Sequence, residues 1–447
     1  MRRPPSGTAV NRIPQRASLA TAYRSSGISE GRRNHQKTFG MTTTMPLAQS
    51  VPVPTHVAPQ LVYDFDYFHV AGIEQDVQLA WHALHSLAPD IFWTPRNGGH
   101  WVATRFADIK LIQQDFARFS SSEIVIPAPP RQRPYKVLPI SADPPAHAPY
   151  RRLIAPAFLP RALDAFETEA RALTVCLIEG LLSRGECEFM SEFARIMPMN
   201  VFLRMVDLPA ADRPYLISLA EANVRSCDME LKILAHEKLA AYLQGWIARR
   251  TAEPGEDLIS RITHAQIDGK RLGREEVFGL LINLMLGGLD TVANMLGYVA
   301  RFLALSAAHR RRLIEDPGIV ARAIEEMIRR FGLSNTGRRI LKDCDYRGIP
   351  FRQDELILVP SPMGGMDERV VRAPETVDFD REPPIAHTAF GHGPHACPGA
   401  ALARREIRVF IEEWLKRIPE FRIKPGTLPR LATGTVNAVT ELQLSWP

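Results

Sequence analysis

From about Arg161 to Arg330 the apolar residues recur at the three- and four-residue spacing of helices, and the run is interrupted only at Pro209, Pro254-Gly255 and Pro317-Gly318. A stretch of that extent has to bury its apolar faces helix against helix. It leaves room for sheets only before and after it. Ahead of it, His100–Thr104 alternates like a strand and follows the turn signal Asn97-Gly98-Gly99. Behind it, short strands are expected at Arg339–Leu341 and Ile357–Val359, then a Pro-rich irregular stretch from Pro374 to His387. A last helix is expected over Ala400–Arg417, with strand-like runs at Thr435–Val439 and Leu442–Trp446. Residues 41–60 read as an extended lead-in, and neither repeats nor a linker appear after residue 60. The expected fold class is mainly α (α+β): one large helical unit with small sheets, spanning 41–447.

With 447 residues, 45% of them apolar, the chain can bury a substantial core. Its most apolar stretch, Val277 to Leu305, carries Asn283, Asp290, Thr291, Asn294 and Arg301, so a buried helix is expected rather than a membrane span. The net charge of +6 is misleading as a sign of nucleic-acid binding. Residues 1–40 hold eight basic side chains against Glu30 alone, which leaves residues 41–447 near −1. That Arg- and Ser-rich segment reads as a disordered extension, or as sequence upstream of a start at Met41. A transit peptide or basic arm is the rival reading. The five cysteines, Cys176, Cys187, Cys227, Cys344 and Cys397, include no Cys-x-x-Cys pair. This disfavours a structural zinc site or a disulfide framework and fits a reducing cytoplasm.

Only Cys397 has informative surroundings. Phe390-Gly391-His392-Gly393-Pro394-His395-Ala396-Cys397-Pro398-Gly399 joins a strand-like approach to the last helix. Its glycines and prolines make a tight turn in which Gly393 is free to take a positive φ. Cys397 is thereby placed at the mouth of the helix, where free amides and the helix dipole favour a thiolate. Gly399 has no side chain to keep a flat ligand away from the backbone. In the central apolar segment, Gly287-Gly288-Leu289-Asp290-Thr291 puts two glycines into a helix at about 1 kcal/mol each relative to alanine. Gly287 and Thr291, four apart, share a face with room for a diatomic ligand. Asp290 and Thr291 are an acid and an alcohol suited to moving protons. A glycine-mediated helix crossing would explain the glycines alone, but not their company with the cysteine loop.

The pattern Phe-x-x-Gly-x-x-x-Cys-x-Gly resembles the haem-binding signature of the cytochrome P450 family, and its chance occurrence in a chain this long is about one in a thousand. From about residue 55 to 447 the chain is similar to the camphor 5-monooxygenase subfamily, through its FGHG loop opening, its GGLDT run and the LARREI that follows the cysteine. The resemblance implies haem b with Cys397 as the axial thiolate, and propionates held by Arg338, His395 and Arg151, with His147 adding a bond. Thr336 departs from the pattern by standing where an aspartate is usual. Glu326 and Arg329 match the family's Glu-x-x-Arg pair, with Arg381 as the third member of a buried network. Asp290 and Thr291 match the proton relay, with Arg225 as a partner of Asp290 and Glu221 as competitor. Tyr135, eight residues before Asp143, matches a tyrosine that hydrogen-bonds a substrate ketone. Val125, Asn283, Leu286, Gly287, Ser334, Thr435 and Val436 match other pocket positions. Val125 is smaller, and Asn283 and Ser334 more polar, than their counterparts in the camphor enzyme.

On this resemblance the chain inserts one oxygen atom from O2 into a C–H bond of a compact terpenoid, camphor-like in size. The sequence shows no flavin or ferredoxin motif. A partner must therefore supply electrons, and the resemblance implies a [2Fe–2S] ferredoxin fed by an NADH-dependent reductase, docking near Lys110, Arg118 and Arg151. A monomer in the cytoplasm is expected, with no nucleic-acid or membrane partner. The competing readings are a peroxygenase on the same fold, a non-catalytic haem sensor, and a zinc or disulfide role for Cys397.

Overall fold

The computed structural model describes residues 50–128, 135–225 and 229–447. The first 49 residues, Cys227, and the side chains of Glu221 and Arg225 lie outside the described residues. The basic extension and the expected Arg225–Asp290 pair are therefore not described.

The helical run resolves into long helices, among them Pro160–Leu182, Ile196–Met205, Arg213–Arg225, Met229–Ala252, Arg274–Leu289, Thr291–Leu305 and Val320–Arg330. The proline and glycine breaks fall between helices, as a missing N–H and a permissive φ require. The last helix occupies Ala400–Arg417, its expected span. One expectation needs correction. The central apolar segment is not one continuous helix, because Asp290 takes φ −127° and ψ −32° and separates Arg274–Leu289 from Thr291–Leu305. Arg274–Leu305 is long and apolar enough to cross a membrane, yet more than half of its most apolar window is buried inside the protein. Val277, Leu280, Leu281 and Met285 line one apolar core, and Met295, Leu296, Tyr298 and Val299 another.

A five-stranded sheet runs in the order Ile91–Thr94, His100–Ala103, Leu356–Pro360, Asn335–Ile340 and Phe119–Ser120. The first two strands pair Ile91 with Ala103 and Thr94 with His100 across the Asn97-Gly98-Gly99 turn. All three turn residues have positive φ, and a Cβ on Gly99 would meet Trp93 at 2.7 Å. Leu356–Pro360 runs antiparallel to Asn335–Ile340, placing Ile357 against Arg338. At the chain's end, Ala438–Glu441 pairs with Arg430–Ala432, and Gln443–Ser445 lies between Arg422–Ile423 and Glu186–Glu188.

Beneath the cysteine loop a charged knot replaces apolar packing. Glu326 and Arg329 are fully buried and joined by two bonds of 2.8 and 2.7 Å, and Arg381 donates to the same carboxylate at 2.9 Å. The rest of the Arg329 fork reaches the carbonyls of Gly365 at 2.6 Å, Pro374 at 2.8 Å and Thr376 at 2.7 Å. Helix Val320–Arg330 is thus tied to the irregular segment that leads into residues 390–399. That segment needs the tie because it has little regular backbone pairing of its own.

Candidate active site

The cysteine loop is closed by its own backbone: Cys397 N–H donates to Phe390 O at 2.8 Å, and Ala396 N–H to Gly393 O at 3.1 Å. Gly393 takes φ +72°, and a Cβ there would lie 2.9 Å from Gln113 O, so conformation and space both demand glycine. The Cys397 sulphur accepts from the N–H groups of Gly399 and Ala400 at the start of helix Ala400–Arg417. The helix start does not by itself produce a thiolate. Cys397 has accessible surface, yet the protein packed around its sulphur raises the thiol above its ordinary value and outweighs the two amides, Arg151 and Arg404. A Lewis-acidic metal is what would shift that balance, because coordination deprotonates a thiol outright.

Phe390 lies under the guanidinium of Arg404, 4.6 Å from ring centre to cation. Arg404 in turn holds Glu325, with one bond at 3.0 Å and a second, shorter one through Nε. Burial alone would raise the Glu325 carboxyl, but His387 and Arg404 bring it down to about 2. Neither Glu325 nor Arg404 was singled out in the sequence, although Arg404 lies within the LARREI run that follows the cysteine. Glu406, in the same run, is also new: burial pushes its carboxyl up to about 8, so it stays protonated at neutral pH.

The structure brings Arg338, His395, His147 and Arg151 together from three elements: the central sheet, the cysteine loop and helix His147–Ile154. The rings of His147 and His395 lie 4.5 Å apart, and the Nε2 atoms of both are buried without a hydrogen-bond partner. Arg338 is 6% exposed and donates to the carbonyl of Gly337 at 2.7 Å. Burial lowers its pKa to about 10, with Asp143 opposing. Burial, then Arg338, His147 and Arg151, hold His395 down to about 3. Among the described residues the anion found beside this cluster is Asp143, 4.0 Å from His395 and engaged by Ser120 and by Ser121 N–H at 2.9 Å. Buried donors gathered around one point, with too little negative charge to match them, fit an anionic ligand such as a pair of carboxylates. A haem b presents that pair beside an iron suited to a sulphur ligand. Arg151 also donates to Ala396 O at 2.7 Å, so it is turned into the protein and offers little charge to a docking partner. Arg118 is paired with Asp115, and among the expected docking cations Lys110 is the exposed one.

On the other wall, the Thr291 hydroxyl donates to Gly287 O at 3.0 Å. A Cβ on Gly287 would meet nothing within 4 Å, whereas one on Gly288 would lie 3.1 Å from the Phe202 ring. The two glycines thus have different reasons: Gly288 permits a close helix crossing, and Gly287 leaves open space. Asp290 accepts from the Asn294 amide at 2.7 Å. Asn283, one turn before Gly287, is half-buried on the same face, with Leu286 beside it.

Ser334 pairs with Val436 across an isolated bridge, and Asn335 N–H donates to Thr435 O at 2.9 Å, which brings three of the expected pocket residues to one place. Val125 is carried to the same sheet, since Gly337 N–H donates to Ile124 O at 2.8 Å and Gly337 lies against Ile126. Tyr135 has a neighbour that its sequence position did not suggest. Its hydroxyl lies 2.5 Å from His236 Nε2, and its ring packs on Phe278, more than two helical turns before Gly287. If His236 Nε2 carries its hydrogen, the Tyr135 hydroxyl accepts it and can still donate to a substrate oxygen; in the other tautomer the two acceptors compete for one hydrogen.

Known proteins match this arrangement. The cytochrome P450 family model matches residues 318–439. A probable cytochrome P450 127A1 of Sinorhizobium fredii is 32% identical over 404 residues, covering 88% of this chain and 97% of that protein. Among solved structures, CYP101J2 superposes with a TM-score of 0.82 at 35% identity, and cytochrome P450 CYP101C1 with 0.81 at 37%. Each covers 89% of this chain and 100% of its own. With a cysteine loop, an anion cradle and likeness over most of its length, the chain belongs to the cytochrome P450 family, monooxygenases that bind haem b through an axial cysteine thiolate.

Proposed function

We propose that this monooxygenase hydroxylates a compact terpenoid carrying an oxygen function, with electrons from a [2Fe–2S] ferredoxin and an NADH-dependent reductase, in the cytoplasm. The observation that carries the reading is the Thr291–Gly287 bond beside the open face at Gly287. The terpenoid class rests on the resemblance to the camphor 5-monooxygenase subfamily, and is supported by Val125, Ser334, Thr435 and Val436 being drawn to one end of the central sheet.

In the reaction, one atom of O2 enters a C–H bond to give the alcohol. The other leaves as water, which takes two electrons and two protons. When bound, the haem supplies dioxygen activation, and thiolate donation from Cys397 favours O–O cleavage. Arg338, His395, Arg151 and His147 would hold its carboxylates. Because the Thr291 hydroxyl donates to Gly287, its lone pairs remain free to accept from a protonated oxygen or a water beside it. Asp290, fixed by Asn294 at the break in the helix, brings protons to Thr291. Asn283 offers an amide to a substrate oxygen, and the apolar residues exclude water.

The test is a screen of monoterpenoid ketones, ethers and hydrocarbons for a low-to-high spin shift, followed by turnover with ferredoxin, reductase and NADH. Tight shifts and alcohol products for compact oxygenated terpenoids are expected. Shifts only with large polycyclic or macrolide compounds would refute the substrate class, and turnover with peroxide alone would refute the electron route.

A further inference from the structure

We propose that His82, His85 and Glu368, gathered beside Arg105 at the start of helix Phe106–Gln114, form a binding site for a divalent transition-metal ion of the zinc class. His82 ends the helix Val77–His82 and His85 lies in the next turn, Leu84–Leu87, so the i,i+3 spacing presents both rings on one side. Glu368 comes from the loop after Ser361–Gly365. Its Oε2 lies 3.2 Å from His85 Nδ1 and 3.7 Å from His82 Nε2, and the three ligand atoms fall within 4.8 Å of one another. Two ligand atoms bound at about 2.05 Å to one tetrahedral zinc lie roughly 3.3 Å apart, close to the 3.2 Å between Glu368 and His85, and the 3.7 Å between Glu368 and His82 closes to it with a small side-chain shift.

The protons argue for a cation. His85 Nε2 lies 2.9 Å from the carbonyl of Thr104, which can only accept, so that nitrogen carries the hydrogen. Nδ1 is then a bare lone pair. It is buried without a hydrogen-bond partner, on a side chain only 3% exposed, and it faces a carboxylate oxygen that is also an acceptor. Two acceptors at that distance need a positive centre between them. The Thr104 carbonyl is the kind of outer partner that fixes the tautomer of a metal-bound histidine.

The surrounding charge admits an ion. Asp90, Asp367 and Glu368 face Arg105 and Arg369 and outnumber them by one. Arg105 occupies Glu368 Oε1 at 2.7 Å, leaving Oε2 for the metal. Glu368 is half exposed and His82 about a quarter, so an ion has a path in and a fourth position open to water. Such a site would staple the first helical turns to the loop at Asp367 and would take no part in oxygen chemistry.

The test uses the haem-loaded full chain, stripped with a chelator and titrated with zinc ion against a fluorescent zinc indicator. One tight zinc per chain is expected, together with a higher melting temperature when zinc is present. His82→Gln and Glu368→Gln should weaken binding roughly tenfold or more and abolish the thermal shift. His82→Gln is the safer variant, because that side chain is partly exposed. X-ray absorption of the zinc form should show only nitrogen and oxygen ligands. Retention of wild-type affinity in both variants, no tight zinc in the wild type, or sulphur in the coordination shell would each overturn the assignment.

Discussion

Replacing Arg329 with Met tests the buried charge knot most directly. The substitution keeps much of the side chain's volume and removes five bonds: two to Glu326 and one each to the carbonyls of Gly365, Pro374 and Thr376. Glu326 is not wholly orphaned, since Arg381 and Asp378 N–H still reach it at 2.9 and 3.0 Å. The larger loss is the three carbonyls, at about 1–3 kcal/mol for each one left dry and unpaired. Removing one member of a buried ion pair typically costs about 3–5 kcal/mol, so a total near 5 kcal/mol is expected. Arg381→Met is the internal comparison. Its side chain is 14% exposed, water can replace it, and about 1–2 kcal/mol is expected. Arg329→Lys should fall between the two, because it keeps the charge but not the planar fork. The assay is thermal unfolding of the haem-loaded proteins by circular dichroism, with haem retention measured in parallel. Arg329→Met should lose haem at temperatures where Arg381→Met keeps it. Equal midpoints for the two variants would show that the carbonyl bonds do not hold the meander, and the reasoning would fail.

Three further outcomes follow from the site. Cys397→Ser should abolish the red-shifted Soret band of the reduced carbon monoxide complex even where haem remains bound; survival of that band would exclude Cys397 as the ligand. Thr291→Ala should continue to consume NADH with redox partners while releasing mostly peroxide, and Asp290→Asn should slow oxygen-dependent turnover itself. Unchanged coupling in Thr291→Ala would mean that protons arrive by another route. Glu406 carries a pH signature. Its folded value of about 8 lies above the ordinary 4.5, so its contribution is fully present below pH 4.5 and is lost as pH rises towards 8. Glu406→Gln should therefore gain stability relative to the wild type across that window, by up to about 5 kcal/mol, read from denaturant midpoints at successive pH values. Parallel curves would show that Glu406 ionises freely in the folded protein.

The sequence by itself determined the elements whose cause is local. Helix Ala400–Arg417 and the turn ahead of it follow from periodicity and from glycines that must take positive φ, so Cys397 at a helix mouth was legible before any fold was known. The likeness of Glu326, Arg329 and Arg381 to a known network was also legible. Their burial was not, because a Glu-x-x-Arg pair reads the same on an exposed helix. Tertiary structure alone decided the rest. Asp290 breaks a helix that apolar periodicity draws as continuous, since a single backbone departure leaves no trace in hydropathy. Tyr135 met His236, a residue 101 positions away, and no spacing rule links them. The same holds for His82, His85 and Glu368: the first two are neighbours on a turn, but the third arrives from the other end of the chain. A site assembled across such distances exists only once packing has fixed which loop lies beside which helix, because side-chain chemistry acts over a few ångströms while sequence patterns report only on the nearest turn.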